Sequence, residues 1–319
     1  MKAPMKKLLA KAGPFLGLVV VIALFALNSE TREVFLSYHN FKIIFTQTVI
    51  VAIGALGMTL IIVSGGIDLS VGSAIALTSV VGALLIQKGW GTATTLLAII
   101  LSGGVIGLLN GAAIAGLRMT PFIITLGTLG IARGGAKWLA DNQTVNYDAS
   151  PINKWMTTPN PFGYALPDGV WVAIVLAVLT SLLLKHTVFG RHVFAIGSNE
   201  QTARLCGIPT TRLKILIYAI AGCFFGVAGT FQLSRLRQGD PTVAVGLELD
   251  IIAAVIIGGA SLNGGVGTVL GSMIGALIMA VLRNGTQLME WQTYFQEIII
   301  GLVIIVAVFL DRVRQGKKH

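Results

Sequence analysis

One ionisable side chain, that of Asp68, interrupts an otherwise apolar stretch, VSGGIDLSVGS at residues 63–73. An ionisable group placed between apolar segments can relay a proton or a cation. An aspartate just before a helix can instead accept hydrogen bonds from backbone N–H groups two or three residues on, here those of Ser70 or Val71, and its charge complements the helix dipole. We favour the second interpretation, in which Asp68 caps the helix that follows.

The other candidates for chemistry do not form a catalytic or metal-binding set. Glu248 and Asp250 are two positions apart, so a helix would point them to different faces. At a helix start they would instead complement its dipole or face a partner protein. The histidines lie in predicted loops or at chain ends, without metal-ligand spacing: His39, His186, His192 and His319. Because no phosphate-binding glycine loop followed by lysine is present either, we predict no enzyme activity and no cofactor in this chain.

The composition is that of a membrane protein. Of the 319 residues, 55% are hydrophobic and only 11% are charged, and the mean hydropathy is +0.84. These values lie outside the range of soluble globular domains. The net charge of +10 does not indicate nucleic-acid binding, because the basic residues are scattered at the ends of apolar segments, as in loops beside a lipid membrane.

Apolar windows predict an all-α polytopic fold with about ten membrane-spanning helices, some short or broken. The predicted spans are residues 13–28, 42–63, 71–87, 93–116, 121–140, 168–185, 213–233, 248–259, 266–283 and 295–310. The first is interpreted as an uncleaved helix, and the segment 248–259 is too short to cross alone. With both termini in the cytoplasm, fourteen of the 23 Lys and Arg residues fall in cytoplasmic segments, in agreement with the positive-inside rule. This topology predicts a single membrane domain over 1–319, with an outer loop at 141–167 and a cytoplasmic loop at 186–212.

The apolar stretch around Asp68 has a partner later in the chain. Residues 65–70 read Gly-Gly-Ile-Asp-Leu-Ser, and residues 258–263 read Gly-Gly-Ala-Ser-Leu-Asn. Transporters built from duplicated halves contain such pairs, where broken helices meet near the path of the solute. The alternative is chance similarity in a chain with 39 glycines. If the repeat is real, both segments break a membrane helix at the same face.

The cytoplasmic loop contains a short predicted helix. Ser198 followed by Gln201 forms a capping box, and Gly207 with Pro209 provides a stop, which together predict about two helical turns. So short a helix is marginal alone in water and must pack against other helices of its own chain or against another subunit. Glu200 and Arg204 are four positions apart, so they pair with each other on one helix face or contact a partner.

Four polar residues within the predicted spans have two open interpretations. They could line a pore for hydroxylated solutes, or they could form hydrogen bonds between helices, which is their more common role. These residues are Gln47, Thr48, Thr59 and Asn110.

Several of these segments together resemble one family. The run Ala195–Ile208 is similar to the cytoplasmic loop of the permease subunit of bacterial sugar-type ABC importers, the ribose, arabinose, xylose and galactofuranose branch. Three more segments resemble further motifs of the same family, in the same order along the chain: Ser64–Ser73, Thr120–Gly127 and Gly246–Gly259. The resemblance extends from about residue 40 to residue 310.

The resemblance implies that residues 198–207 form a coupling helix that docks in a groove of an ATPase subunit. The positions carried over to that role are Gly197, Asn199, Glu200, Ala203, Arg204 and Gly207. The two glycine segments would serve as helix breaks or gates, through Gly65, Gly66, Asp68, Ser70, Gly258, Gly259, Ser261 and Asn263.

The same resemblance implies a set of partners and a location. The partners are a sugar-type ABC ATPase that holds ATP and Mg, an extracytoplasmic solute-binding protein, and a second permease copy or homologue, all assembled at the bacterial inner membrane. The alternative from another class is a self-sufficient secondary carrier or channel with Asp68 as its ion-coupling group. That alternative predicts uptake without an ATPase.

Overall fold

A computed structural model describes residues 3–29, 31–156 and 166–316 of the chain. In this part the chain is mostly α-helical, with very little strand. The helices are α1 Ala3–Ala26, α2 Arg32–Phe35, α3 Tyr38–Val63, α4 Val71–Gln87, α5 Thr92–Leu117, α6 Pro121–Leu139, α7 Asp168–His186, α8 Val188–Ser198, α9 Glu200–Leu205, α10 Thr210–Leu236, α11 Leu247–Ile257, α12 Val269–Leu288 and α13 Thr293–Gly316. Two short strands, β1 Val145–Asn146 and β2 Gln238–Gly239, pair antiparallel.

Helix length and apolarity identify a multi-pass membrane protein. Within the described residues, α3, α5, α7, α10 and α12 are long and apolar enough to cross a membrane, and shorter apolar helices lie at Gly13–Ala26, Val71–Gln87 and Tyr294–Val306. Each of the ten predicted spans coincides with a helix. The number that cross the membrane and the side on which the termini lie stay predictions.

Helix α3 lies at the centre of the molecule. Every residue from Thr48 to Val63 is buried, and the helix packs against α7, α8, α10, α11 and α12. Its start is fixed by Ser37, whose side chain accepts a hydrogen bond from the Asn40 N–H at 3.2 Å. Because α3 is surrounded by other helices, its ends serve as fixed points for the connections that meet there.

The connections differ in part from the prediction. The segment 186–212 contains two helices, α8 and α9, of which only the second was predicted. That second helix, predicted at 198–207, spans only Glu200–Leu205. In the predicted outer loop 141–167, residues 157–165 lie outside the described residues. Strand β1, in the first part of this loop, pairs with β2, which follows α10.

Candidate functional site

Helices α3 and α11 end in the same backbone structure. After α3 the Gly66 N–H donates to the Ile61 carbonyl oxygen at 2.9 Å, and after α11 the Ala260 N–H donates to the Val255 carbonyl oxygen at 3.1 Å. Such a closure needs one residue in the left-handed region, which glycine adopts without steric cost. That residue is Gly65 (φ 85°) in the first segment and Gly259 (φ 91°) in the second. Each glycine pair therefore closes a helix end in the same way. The glycine with positive φ is the first of its pair in one segment and the second of its pair in the other.

Beyond the glycines, the two segments also share a side-chain turn. The Asp68 Oδ1 atom accepts from the Ser70 N–H at 2.8 Å, which is one of the two predicted bonds, and the Ser261 Oγ atom accepts from the Asn263 N–H at 3.2 Å. The N-cap of α4 is Ser70, however, so Asp68 closes a turn just before the helix and is not itself the cap. Asp68 and Ser261 occupy equivalent positions of the repeat, as do Ser70 and Asn263. The similarity seen in the sequence therefore corresponds to a similar local conformation.

Asp68 is the centre of a buried hydrogen-bond network that joins three elements. Its Oδ1 atom also accepts from the Ser70 hydroxyl at 2.6 Å, and its Oδ2 atom accepts from the Asn110 amide of α5 at 3.2 Å. The Thr128 hydroxyl of α6 donates to the Asn110 Oδ1 atom at 2.6 Å. Burial raises the pKa of the Asp68 carboxyl, and the hydrogen bonds from Ser70 and Asn110 lower it. Both carboxylate oxygens are thus used within the protein, which favours a structural role for Asp68.

The two glycine segments meet at the end of α8. The Gly265 N–H, just after the second segment, donates to the carbonyl oxygen of Val63, the last residue of α3, at 2.8 Å. Gly197 lies against this bond, because a Cβ atom built there would be 1.8 Å from the Val63 oxygen and 2.6 Å from the Gly265 nitrogen. We call the contact of Val63, Gly197 and Gly265 the glycine junction.

Helix α9 follows the glycine junction directly. Its N-cap is Asn199, whose Oδ1 atom accepts from the Thr202 N–H at 2.9 Å. The predicted cap at Ser198 is wrong, because Ser198 is still the last residue of α8 while Asn199 is extended, with φ −161°. An N-cap residue needs such a non-helical conformation.

The charges of α9 hold it to its own chain. Arg204 donates to Glu200 at 3.2 Å, which confirms the predicted pair, and Lys214 of α10 donates to Glu200 at 2.6 Å, which was not predicted. Ala203 is buried against the protein, whereas the side chain of Leu205 is 88% exposed. The position of Gly207 just after the helix agrees with the predicted stop. The helix therefore has one attached face and one apolar residue facing outward.

The remaining predicted site residues are mostly satisfied within the protein. The Thr48 hydroxyl donates to the Ile44 carbonyl at 2.8 Å, and the Thr59 hydroxyl donates to the Ser272 hydroxyl at 2.7 Å. Together with Asn110, these residues form bonds within and between helices. Gln47 lines a cleft. Gly258 packs closely on Gly271 of α12.

An ion pair between α11 and α12 was not predicted from the sequence. Asp250 is 1% exposed and accepts a hydrogen bond from Arg283. The one sequence signal for this pair is that Arg283 is a cation at the end of an apolar segment, where a buried cation needs an anionic partner. In the described residues no three His, Cys, Asp or Glu side chains are grouped as a metal site would require.

Comparison with known proteins gives consistent matches over almost the whole chain. A family model described as "Branched-chain amino acid transport system / permease component" matches residues 40–308. The chain is 36% identical over 301 residues to the ribose import permease protein RbsC of Escherichia coli, covering 93% of both chains. It is 38% identical to RbsC of Bacillus subtilis (95% of this chain, 92% of the relative) and 34% identical to the L-arabinose ABC transporter permease protein AraH of Azospirillum brasilense (95% and 89%). No solved structure matches the chain.

Proposed function

This chain belongs to the permease family of ABC importers, among the sugar permeases, and we propose that it is the membrane-spanning subunit of an ATP-driven importer. The solute is a simple sugar or a related small hydroxylated compound. The family description mentions branched-chain amino acids, but the relatives compared above are named for ribose and L-arabinose and match at least 93% of the chain, which favours a sugar. An extracytoplasmic binding protein delivers the solute.

The glycine junction is the observation that carries this proposal. In the proposed assembly, α9 docks on a separate ATPase that binds ATP and Mg, and two permease copies, or one copy and a homologue, enclose the path. A displacement of α9 is passed through Asn199 to Gly197, which lies between the ends of two membrane helices. Because a single residue contacts both segments, both helix breaks respond together. The breaks at 64–70 and 258–265 thus serve as hinges or gates.

The exposed face of α9 supports its assignment as the coupling helix. A helix of six residues does not persist alone in water, and here it is held by Asn199 and by the Glu200–Lys214 ion pair. The exposed Leu205 at its tip offers apolar surface to a partner. In the proposed topology α9 and both termini lie in the cytoplasm, ten helices cross the bacterial inner membrane, and the positive-inside rule gives this orientation.

The test is reconstitution of the permease in liposomes with and without its ATPase and binding protein. We expect ATP-dependent sugar uptake that requires all three components. The charge reversals Glu200→Arg and Arg204→Glu should abolish both co-purification with the ATPase and uptake, whereas Lys88→Glu, in an exposed turn outside α9, should leave both unchanged. Uptake by the permease alone along an ion gradient would instead establish a secondary carrier, and intact ATPase association in both reversals would remove α9 as the docking element.

A further inference from the structure

A polar cleft lies at the end of the helix bundle opposite the glycine junction. Five of its lining residues are polar and come from three helices: Gln47 of α3, Gln232 and Arg235 of α10, and Arg283 and Gln287 of α12. The cleft encloses about 70 Å³. Whole small-molecule sites occupy roughly 300–1,000 Å³, so this cleft has room for only part of a solute. Along α3, Gln47 is about 24 Å from Val63 at a rise of 1.5 Å per residue.

Several polar atoms in this cleft have no partner within the protein. The Gln47 Oε1 atom and the Arg283 Nε atom are fully buried and accept or donate no hydrogen bond. The Gln232 side chain is 8% exposed, and the described residues supply no hydrogen bond to its amide. A buried polar group without a partner is unfavourable. Two such atoms at one cleft, beside the Gln232 amide, indicate that a ligand satisfies them.

The cleft also contains two guanidinium groups, those of Arg283 and Arg235. Asp250, buried behind the cleft, neutralises Arg283 and fixes its position. Arg235 is exposed on the cleft and, among the described residues, makes no ion pair. A guanidinium group presents several N–H donors in a rigid fork, which suits oxygen atoms of a ligand. The cleft thus offers both amide acceptors and guanidinium donors.

The mixture of donors and acceptors selects the ligand chemistry. A hydroxyl group donates and accepts, so it satisfies a glutamine amide in either orientation of its oxygen and nitrogen. A carboxylate or phosphate accepts only, and would leave the Gln47 oxygen without a donor. An apolar solute would leave every polar group unsatisfied. Hydroxylated compounds match the cleft best.

We propose that this cleft, lined by Gln47, Gln232, Arg235 and Arg283, is a contact site for a neutral polyhydroxylated solute on the outer half of the transport path. The proposal rests on the proposed function for its orientation, since the glycine junction at the opposite end is then cytoplasmic. It assigns solute recognition to the permease itself, in addition to the binding protein. Gln47 and Gln232 accept and donate hydrogen bonds to hydroxyl groups, while Asp250 holds Arg283 in place.

Protection of a cysteine from labelling tests this site directly. In the complete importer, Cys206 and Cys223 are replaced by alanine, and Gln287→Cys at the rim of the cleft is labelled with a small thiosulfonate reagent without ATP. D-ribose, L-arabinose and D-glucose are the probes, and gluconate and inorganic phosphate are the anionic comparison. Labelling should slow about threefold when a bound sugar is present at twice its dissociation constant. A matched reporter, Lys88→Cys, lies in an exposed turn away from the cleft and should not respond.

Second-site variants show whether the amides make the contact. Gln47→Leu and Gln232→Leu, each tested in the reporter background, should abolish protection by the sugars. Thr48→Val is the matched control, because the Thr48 hydroxyl is bonded within its own helix, and protection should persist. No protection by any sugar, protection by the anions alone, or protection that survives both leucine variants would each overturn the proposal. ATP-dependent sugar uptake is measured on the same preparations. Uptake without protection would overturn the cleft as a solute site and leave the proposed function standing, whereas loss of ATP-dependent uptake in the complete importer would count against the proposed function.

Discussion

Replacing Gly197 by alanine is expected to disrupt the glycine junction. The added Cβ would lie 1.8 Å from the Val63 carbonyl oxygen, whereas side-chain carbons essentially never approach other atoms within 3.0 Å. The end of α8 and the end of α3 must therefore separate by about 1.2 Å. Because the obstructing atoms belong to the backbone, no side-chain rotation relieves the clash. Overpacking of this kind costs about 1–3 kcal/mol, and the Gly265–Val63 hydrogen bond is strained as well.

Two measurements follow the effect of Gly197→Ala. The melting temperature of the purified permease should fall by several degrees. Uptake should fall by more than the loss of folded protein explains, because both helix breaks lose their fixed contact with the segment that leads into α9. Gly130→Ala in α6 is the matched control, since no heavy atom lies within 4 Å of the added carbon, and a helix interior favours alanine by roughly 0.5–1 kcal/mol. Wild-type melting and uptake for Gly197→Ala would refute the reasoning that the junction is closely packed and transmits motion.

Substitutions at two further sites test buried polar groups. Asp68→Asn keeps a side-chain acceptor for the Ser70 N–H and should reduce uptake only modestly. Asp68→Ala removes the acceptor of the Ser70 N–H and one of the two acceptors of the Asn110 amide, which still donates to the Ser70 hydroxyl, and should lower the free energy of unfolding by about 1–3 kcal/mol. Abolished uptake in an assembled Asp68→Asn importer would show that the charge itself is needed. Arg283→Met leaves Asp250 buried without its cation and should lower the yield of folded permease, while the double change with Asp250→Asn should restore most of it. Equal yields for the single and double variants would contradict the ion-pair assignment.

Most helices could be predicted from the sequence because an apolar segment of about 20 residues carries its own signal. The bond from Ser70 to Asp68 was equally predictable, since it depends on residues two positions apart. Helix α8 was missed because it has only 11 residues and mixes apolar with polar ones, without a long apolar run. The cap of α9 was displaced by one residue because Ser198 and Asn199 are both good caps, and only the continuation of α8 through Ser198 decides between them.

No local sequence pattern predicts the long-range contacts of the candidate site. The Asp250–Arg283 ion pair joins two helices, and the Asn110 amide reaches Asp68 across 42 positions of the chain. The glycine junction depends on three backbone segments that no local pattern relates. Such contacts are fixed by the packing of α3 among its neighbours, which a single sequence does not specify.

The hydrogen bond between Gly265 and Val63 joins the two helix breaks through main-chain atoms only. Truncating a neighbouring side chain does not remove this bond, because its donor and acceptor both belong to the main chain. The bond instead gives the Gly265 amide proton a distinctive exchange behaviour with solvent. If the importer alternates between conformations in which the junction is closed and open, exchange at Gly265 should become faster with turnover, while amides in the middle of α3 stay protected.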